Sequence, residues 1–204
     1  MKHIVLNPGH VFYCPGDKRN TPGKHAPDKS FYEAVWNREV ATIVAHKLSE
    51  IGISSTVAVA ESESVSLSSP VRICNNICSK LGAGNVLFIS IHVNALGNGS
   101  EWMSARGWSI FTTRGVTKSD RLAESIYKVA KEKFLNYSVR SEYSDGDADY
   151  ESNFYVIKNV QCPAVLVENF FMDNREDLAF LKTEECKILC AEVIVEGIKR
   201  YLNV

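Results

Sequence analysis

Val86-Leu87-Phe88-Ile89-Ser90-Ile91-His92-Val93-Asn94-Ala95 is the stretch on which the fold turns. From Val86 to Ile91 the run is apolar at almost every position. A strand with one wet face alternates polar and apolar residues. A run apolar at both parities belongs to a strand covered on both faces, as in a parallel sheet between helix layers. His92 follows immediately, so a polar group stands where this strand leaves the core.

The flanking segments fit the same architecture. Upstream, Ser69 and Pro70 read as the N-cap and first position of a helix that runs to about Leu81 and stops at Gly82. Before it, Ile53 to Ala60 alternates as a strand. Between Phe31 and Ile51, residues Val40, Ile43, Val44, Leu48 and Ile51 fall on one helical face, with Gly52 as the stop. His3 to Asn7 is a short apolar strand closed by Pro8-Gly9, and residues 12–30, rich in Pro and Gly, form a long loop.

Downstream, Trp108 to Thr113 reads as a strand, Lys118 to Phe134 as a helix, and 138–153 as a polar, acidic surface loop. Ala164 to Val167 is a buried strand opened by Pro163. Asp173 and Glu176 have capping-box spacing, and Glu184 to Tyr201 is an amphipathic helix. The alternation predicts a three-layer α/β fold: a mostly parallel, twisted sheet with helices on both faces, in one domain over 1–204.

Composition narrows the function classes. The chain has 204 residues, 45% of them apolar, and a formal net charge of −1. Lys and Arg are scattered without a basic run, which speaks against a nucleic-acid partner. No apolar run reaches the ~18 residues of a membrane span, and the amino-terminal stretch does not read as a signal peptide. Synthesis in the cytoplasm is expected.

Six cysteines are present: Cys14, Cys74, Cys78, Cys162, Cys186 and Cys190. Cys74/Cys78 and Cys186/Cys190 have CxxxC spacing, which sets each pair on one helix face. A four-cysteine zinc site is one reading. Small buried apolar residues on two helices is the reading that physical argument favours, because free Cys packs as a small hydrophobe and structural zinc sites sit on knuckles and turns. A domain of this size needs no disulfide, so the thiols point to a reducing compartment.

In open α/β sheets, ligands bind beyond the carboxyl ends of the strands. Three residues stand there: His10 after the first strand, His92, and Glu168 after Val165-Leu166-Val167. Glu33, in the first turn of the following helix, can approach the same rim. Two His and a carboxylate with a fourth position open make a catalytic zinc set, and Glu168 is left to move protons. Each residue also has an ordinary use: His caps and bridges, and a first-turn Glu complements the helix dipole.

A resemblance sharpens this choice. Asn7-Pro8-Gly9-His10 is similar to the Asp-Pro-Gly-His opening of the amidase_3 family of zinc N-acetylmuramoyl-L-alanine amidases. Glu33 followed by Asn37 and Val40-Ala41 is similar to the family's Glu helix, and Arg72 lies in its Leu-x-x-Arg stretch. Ser90-Ile91-His92-Val93-Asn94-Ala95 resembles Ser-Ile-His-x-Asn-Ala almost letter for letter. Pro163 to Glu168, with Phe171 and Asn174, resembles the closing catalytic-Glu motif.

The resemblance implies zinc on His10, Glu33 and His92, Glu168 as catalytic acid/base, and Asn94, Arg72 and Asn169 as supporting or substrate residues. It implies hydrolysis of the bond between N-acetylmuramic acid and L-alanine in peptidoglycan by a metal-activated water. The enzyme would reach the wall by lysis or by another export route. A zinc peptidase on other short peptides and an inactive peptidoglycan-binding module remain as alternatives.

Departures from the family pattern are Asn7 for Asp, Val11-Phe12 for glycines, Ala60-Glu61 for Thr-Arg, and Asn169-Phe170 where Gly is common at the second position. The last predicts a bulkier wall beside Glu168. His25 in the Pro/Gly loop is a reserve ligand. Trp102, Trp108, Tyr143 and Tyr150 are candidates for a substrate groove, with core packing or plain surface exposure the stronger reading for each.

Overall fold

A computed structural model describes residues 2–204 except 12, 14, 19, 60–65 and 145. Phe12, Cys14 and the Ala60-Glu61 departure therefore lie outside the described residues. The order of elements is β1 (His3–Pro8), α1 (Glu33–Glu50), β2 (Ser54–Val57), α2 (Ser68–Leu81), β3 (Val86–Asn94), β4 (Ser109–Thr112) and α3 (Lys118–Lys133). There follow β5 (Tyr150–Glu151), α4 (Tyr155–Lys158), β6 (Ala164–Phe171), α5 (Arg175–Leu181) and α6 (Glu184–Leu202). The sheet runs β2-β1-β3-β6-β4-β5. The first four strands in that order are parallel, while β4 runs antiparallel to β6. Among the described residues no helix is long and apolar enough to cross a membrane.

Side-chain parity divides the core. On β1, β3 and β6, residues Ile4, Leu6, Leu87, Ile89, Ile91, Val165 and Val167 face the larger apolar cluster with α1, α3 and α6. Val5, Val86, Phe88, Ala164 and Leu166 face a smaller one with α2 and α4. Both parities are apolar because both faces are covered, the arrangement predicted from the sequence. On the second face the apolar series gives way to Asn7, Ser90, His92 and Glu168 as the strands reach their carboxyl ends.

Several local expectations are corrected. Ser69 lies inside α2, not at its N-cap, which is Leu67. Asp173 caps nothing: its Oδ2 accepts from Gly97 N at 2.8 Å, and Asn174 caps α5 by accepting from the N–H groups of Glu176 and Asp177. A capping box is formed instead by Thr117 with Asp120 at the head of α3. The segment 138–153 is not all surface loop, since it contributes β5 and buries Ala148 and Asp149.

The two CxxxC pairs lie on opposite faces of the sheet, Cys74/Cys78 in the smaller cluster and Cys186/Cys190 in the larger. The two pairs therefore do not share one four-cysteine site.

Candidate metal centre

β1 ends in a turn whose backbone is held from two sides. Gly9 N donates to Ile91 O at 2.9 Å, and Asn37 Nδ2 donates to Gly9 O at 3.2 Å. A side chain at position 9 would collide with the His92 ring, so only glycine lets that imidazole lie against the turn. His10 follows with φ 64°, a left-handed conformation that costs a non-glycine residue on the order of 1–3 kcal/mol. Arg38 Nη2 fixes the His10 carbonyl at 3.0 Å.

Three donors converge on this turn. His10 Nε2 lies 3.3 Å and His92 Nδ1 3.2 Å from the same oxygen, Glu33 Oε1. The two rings meet edge to face with centroids 4.9 Å apart, and the three ligand atoms fall within 4.8 Å of one another. Ligands ~2.0–2.1 Å from a tetrahedral zinc ion stand ~3.3 Å apart, so the spacing suits a cation between them. Glu33 Oε2 is buried with no protein partner, a donor left over that a cation would satisfy.

The sheet itself holds Glu33. A bulge slips the pairing between His92↔Glu168 and Asn94↔Phe171, with Asn169 and Phe170 opposite Val93. Val93 N–H turns to Glu33 Oε1 at 3.0 Å. Phe170, at the bulge with φ 63°, sits where glycine is easiest. Its ring packs into the core with Phe134, Tyr137 and Phe180. The expectation of a bulkier wall beside Glu168 is thus corrected, because the bulk points into the opposite layer.

A short chain of hydrogen bonds holds the His92 ring. Asn7 Nδ2 donates to Ser90 Oγ at 2.8 Å, and Ser90 Oγ lies 3.1 Å from His92 Nε2. In the tautomer with the proton on Nε2, directed at Ser90 Oγ, Nδ1 has its lone pair free for a cation. Asn7, the departure from Asp, is the buried anchor of this chain.

Glu168 lies in register with His92 on the adjacent strand, on the same face. Burial pushes its carboxyl well above the ordinary range, the Glu33 charge adds to this, and Lys24 opposes both. Burial also pushes Glu33 upward, but bonds and charge from the two imidazoles outweigh it and hold it below the ordinary range. His92 is lowered by its burial against the pull of Glu33. Glu33 is thus biased toward its charged form and its neighbour Glu168 toward its protonated form.

These groups open onto a cavity of about 450 Å³. His10, His92, Glu168 and Lys24 are among its polar lining, and Leu67, Phe154, Tyr155 and Leu166 among its apolar lining.

The other candidates lie elsewhere. Asn94 closes its own turn, accepting from Ala95 N at 2.8 Å. Asn169 is buried and bridges Trp108 Nε1 to the His92 carbonyl, at 3.2 and 2.9 Å. Arg72 is exposed on α2 and does not line the cavity. His25 pairs with Tyr32 and its own neighbour's carbonyl. Trp108 is core, Trp102 lies under Arg175, Tyr150 under Arg140, and Tyr143 is exposed. The aromatic wall comes instead from Phe154 and Tyr155, which the sequence reading missed because α4 is too short to show a period.

Residues 4–200 match a family model described as N-acetylmuramoyl-L-alanine amidase. The chain belongs to the amidase_3 family. Among relatives of the family, the endolysin of Bacillus phage SPP1 is 30% identical over 57% of this chain. The N-acetylmuramoyl-L-alanine amidase LytC of Bacillus subtilis is 31% identical over 97% of it. The chain spans 40% and 35% of those proteins' lengths. The solved catalytic domain of CwlV, an N-acetylmuramoyl-L-alanine amidase from Bacillus (Paenibacillus) polymyxa var. colistinus, superposes with a TM-score of 0.77. It is 24% identical and covers 100% of this chain and 99% of its own, which establishes the shared family fold.

Proposed function

We propose that this chain is a zinc-dependent N-acetylmuramoyl-L-alanine amidase, hydrolysing the amide between the lactyl group of N-acetylmuramic acid and L-alanine in peptidoglycan. The observation that carries the reading is the convergence of His10 Nε2, His92 Nδ1 and Glu33 Oε1 beside Glu168 at the floor of an open cavity.

His10, Glu33 and His92 would hold the ion. Zinc bound there supplies a Lewis acid that polarises a carbonyl and makes water a nucleophile near neutral pH. Glu168 accepts the proton of the attacking water and returns it to the leaving amine of L-alanine, which needs a carboxyl with raised proton affinity. Lys24 opposes the field of Glu33 and keeps the charged form of Glu168 within reach. Ser90 and Asn7 hold the His92 ring, and Gly9 leaves room for it. Phe154, Tyr155, Leu67 and Leu166 exclude water from the apolar part of the substrate.

The deciding experiment is digestion of purified peptidoglycan followed by end-group analysis. Release of intact stem peptides with a new L-Ala amino terminus is expected, abolished by a chelator and restored by zinc. Cleavage of free peptides with intact peptidoglycan would instead favour a peptidase. Glu168→Gln is expected to keep its zinc and lose ~10²–10⁴-fold in turnover, the usual size of a lost acid/base. Unchanged turnover in that variant removes Glu168 from its role.

A further inference from the structure

Cys74 and Cys78 stand one turn apart on the buried side of α2. Cys162 reaches them from the segment before β6, 88 residues after Cys74. Cys74 Sγ and Cys162 Sγ are 3.5 Å apart, and the three sulfurs lie within 4.8 Å of one another. All three are free thiols.

One side chain of α2 fixes this approach. Asn75 Nδ2 donates to Asn159 O at 3.0 Å, and Asn75 Oδ1 accepts from Gln161 N at 2.9 Å. The segment that carries Cys162 is thus clamped to the helix next to Cys74. Cys186 and Cys190 provide the contrast. They are also buried and one turn apart, with sulfurs 3.8 Å apart, but no third ligating group among the described residues joins them.

We propose that Cys74, Cys78 and Cys162 form a second cation site, a three-thiol centre for a thiophilic divalent ion of the zinc and cadmium type, separate from the histidine centre. Soft thiolate donors select such ions. A zinc–sulfur bond is ~2.3 Å, which places three coordinating sulfurs ~4 Å apart, the scale of the spacing here. On binding, each thiol releases its proton to solvent, so the ion and three thiolates carry one net negative charge. Cys162 lines a cavity of about 340 Å³, which gives an entry path from solvent. The centre occupies the amino-terminal end of the sheet face whose carboxyl-terminal end bears the histidines.

The test is titration of the reduced full chain with Cd²⁺ alone, followed by the ultraviolet sulfur-to-cadmium charge-transfer band, which imidazole and carboxylate ligands do not produce. A band saturating at one equivalent of thiol-bound ion is expected, retained in His92→Ala and lost in Cys162→Ser. Absence of the band in the unaltered chain, or its full persistence in Cys162→Ser, overturns the proposal. If Cys162→Ser does not fold, the double variant Cys186→Ala/Cys190→Ala decides: an undiminished band supports the site, and its loss reassigns the binding to α6.

Discussion

One face of the sheet carries two groups of convergent ligand atoms, and its two ends use them differently. At the carboxyl end, two imidazoles line an open cavity together with a carboxyl of raised proton affinity, and the Glu33 carboxylate is buried against them. At the amino end, three sulfurs are buried in the apolar cluster under α2 and α4, with a smaller opening beside Cys162. The first arrangement leaves room for substrate and exchangeable water. The second suits an ion that stays, since catalytic sites keep a position open and structural ones close it. The same strands thus support chemistry where they leave the core and packing where they enter it.

The largest way to break this contrast is His92→Ala. Hydrolysis of peptidoglycan and zinc at the carboxyl end should both be lost, while the cadmium–sulfur band at the amino end is unchanged; metal analysis alongside the spectrum checks both. Retention of full zinc at the histidine centre would refute His92 as a ligand. Ser90→Ala is smaller. It removes the partner of His92 Nε2 and should cost ~10–100-fold in zinc affinity, the usual effect of losing a group that orients a ligand. Competition with a calibrated chelator reads it.

The smallest effect sharpens the comparison with a carboxyl away from both ends. Asp149, beside β4, is raised to about 7 by burial and by its neighbour Asp147, against the hydroxyl of Thr112. The fold favours its protonated form. That contribution is whole below the ordinary value of 3.8 and is lost as pH rises through about 7. Asp149→Asn should therefore gain in melting temperature relative to the natural chain as pH rises from ~4 to ~7, on the order of 2–4 °C for each kcal/mol relieved at this chain length. Thermal scans across that range check it; a constant difference between the two proteins sinks the assignment.

Much of the carboxyl end was legible because strand ends announce themselves. His10, His92 and Glu168 each follow an apolar run, and one rule about parallel sheets brings them together. Glu33 was harder, since a first-turn carboxylate has an ordinary use; its approach to the two imidazoles is visible only once Val93 and both rings are seen around one oxygen. The Asn7–Ser90–His92 chain crosses between strands and depends on register, which no single segment encodes. Phe170 misled because its size was legible and its direction was not. The sulfur group was missed for a related reason: helical spacing pairs Cys74 with Cys78, but the third thiol arrives from a distant turn held by Asn75. Asp173 was mistaken for a cap because capping boxes are recognised by spacing, and Asn174 offered the better-placed oxygen.

The bulge opposite Val93 has a mechanical consequence. Glu33 belongs to a helix by sequence, yet the Val93 amide of β3 donates to its Oε1, which His92 of β3 and His10, in the turn after β1, both approach. The spacing of the three donors is therefore set jointly: β3 holds His92 and grips Glu33 Oε1, while α1 delivers the carboxylate and, through Asn37 and Arg38, pins the turn that bears His10. Displacement of α1 would therefore disturb two of the three donors at once, Glu33 directly and His10 through its turn.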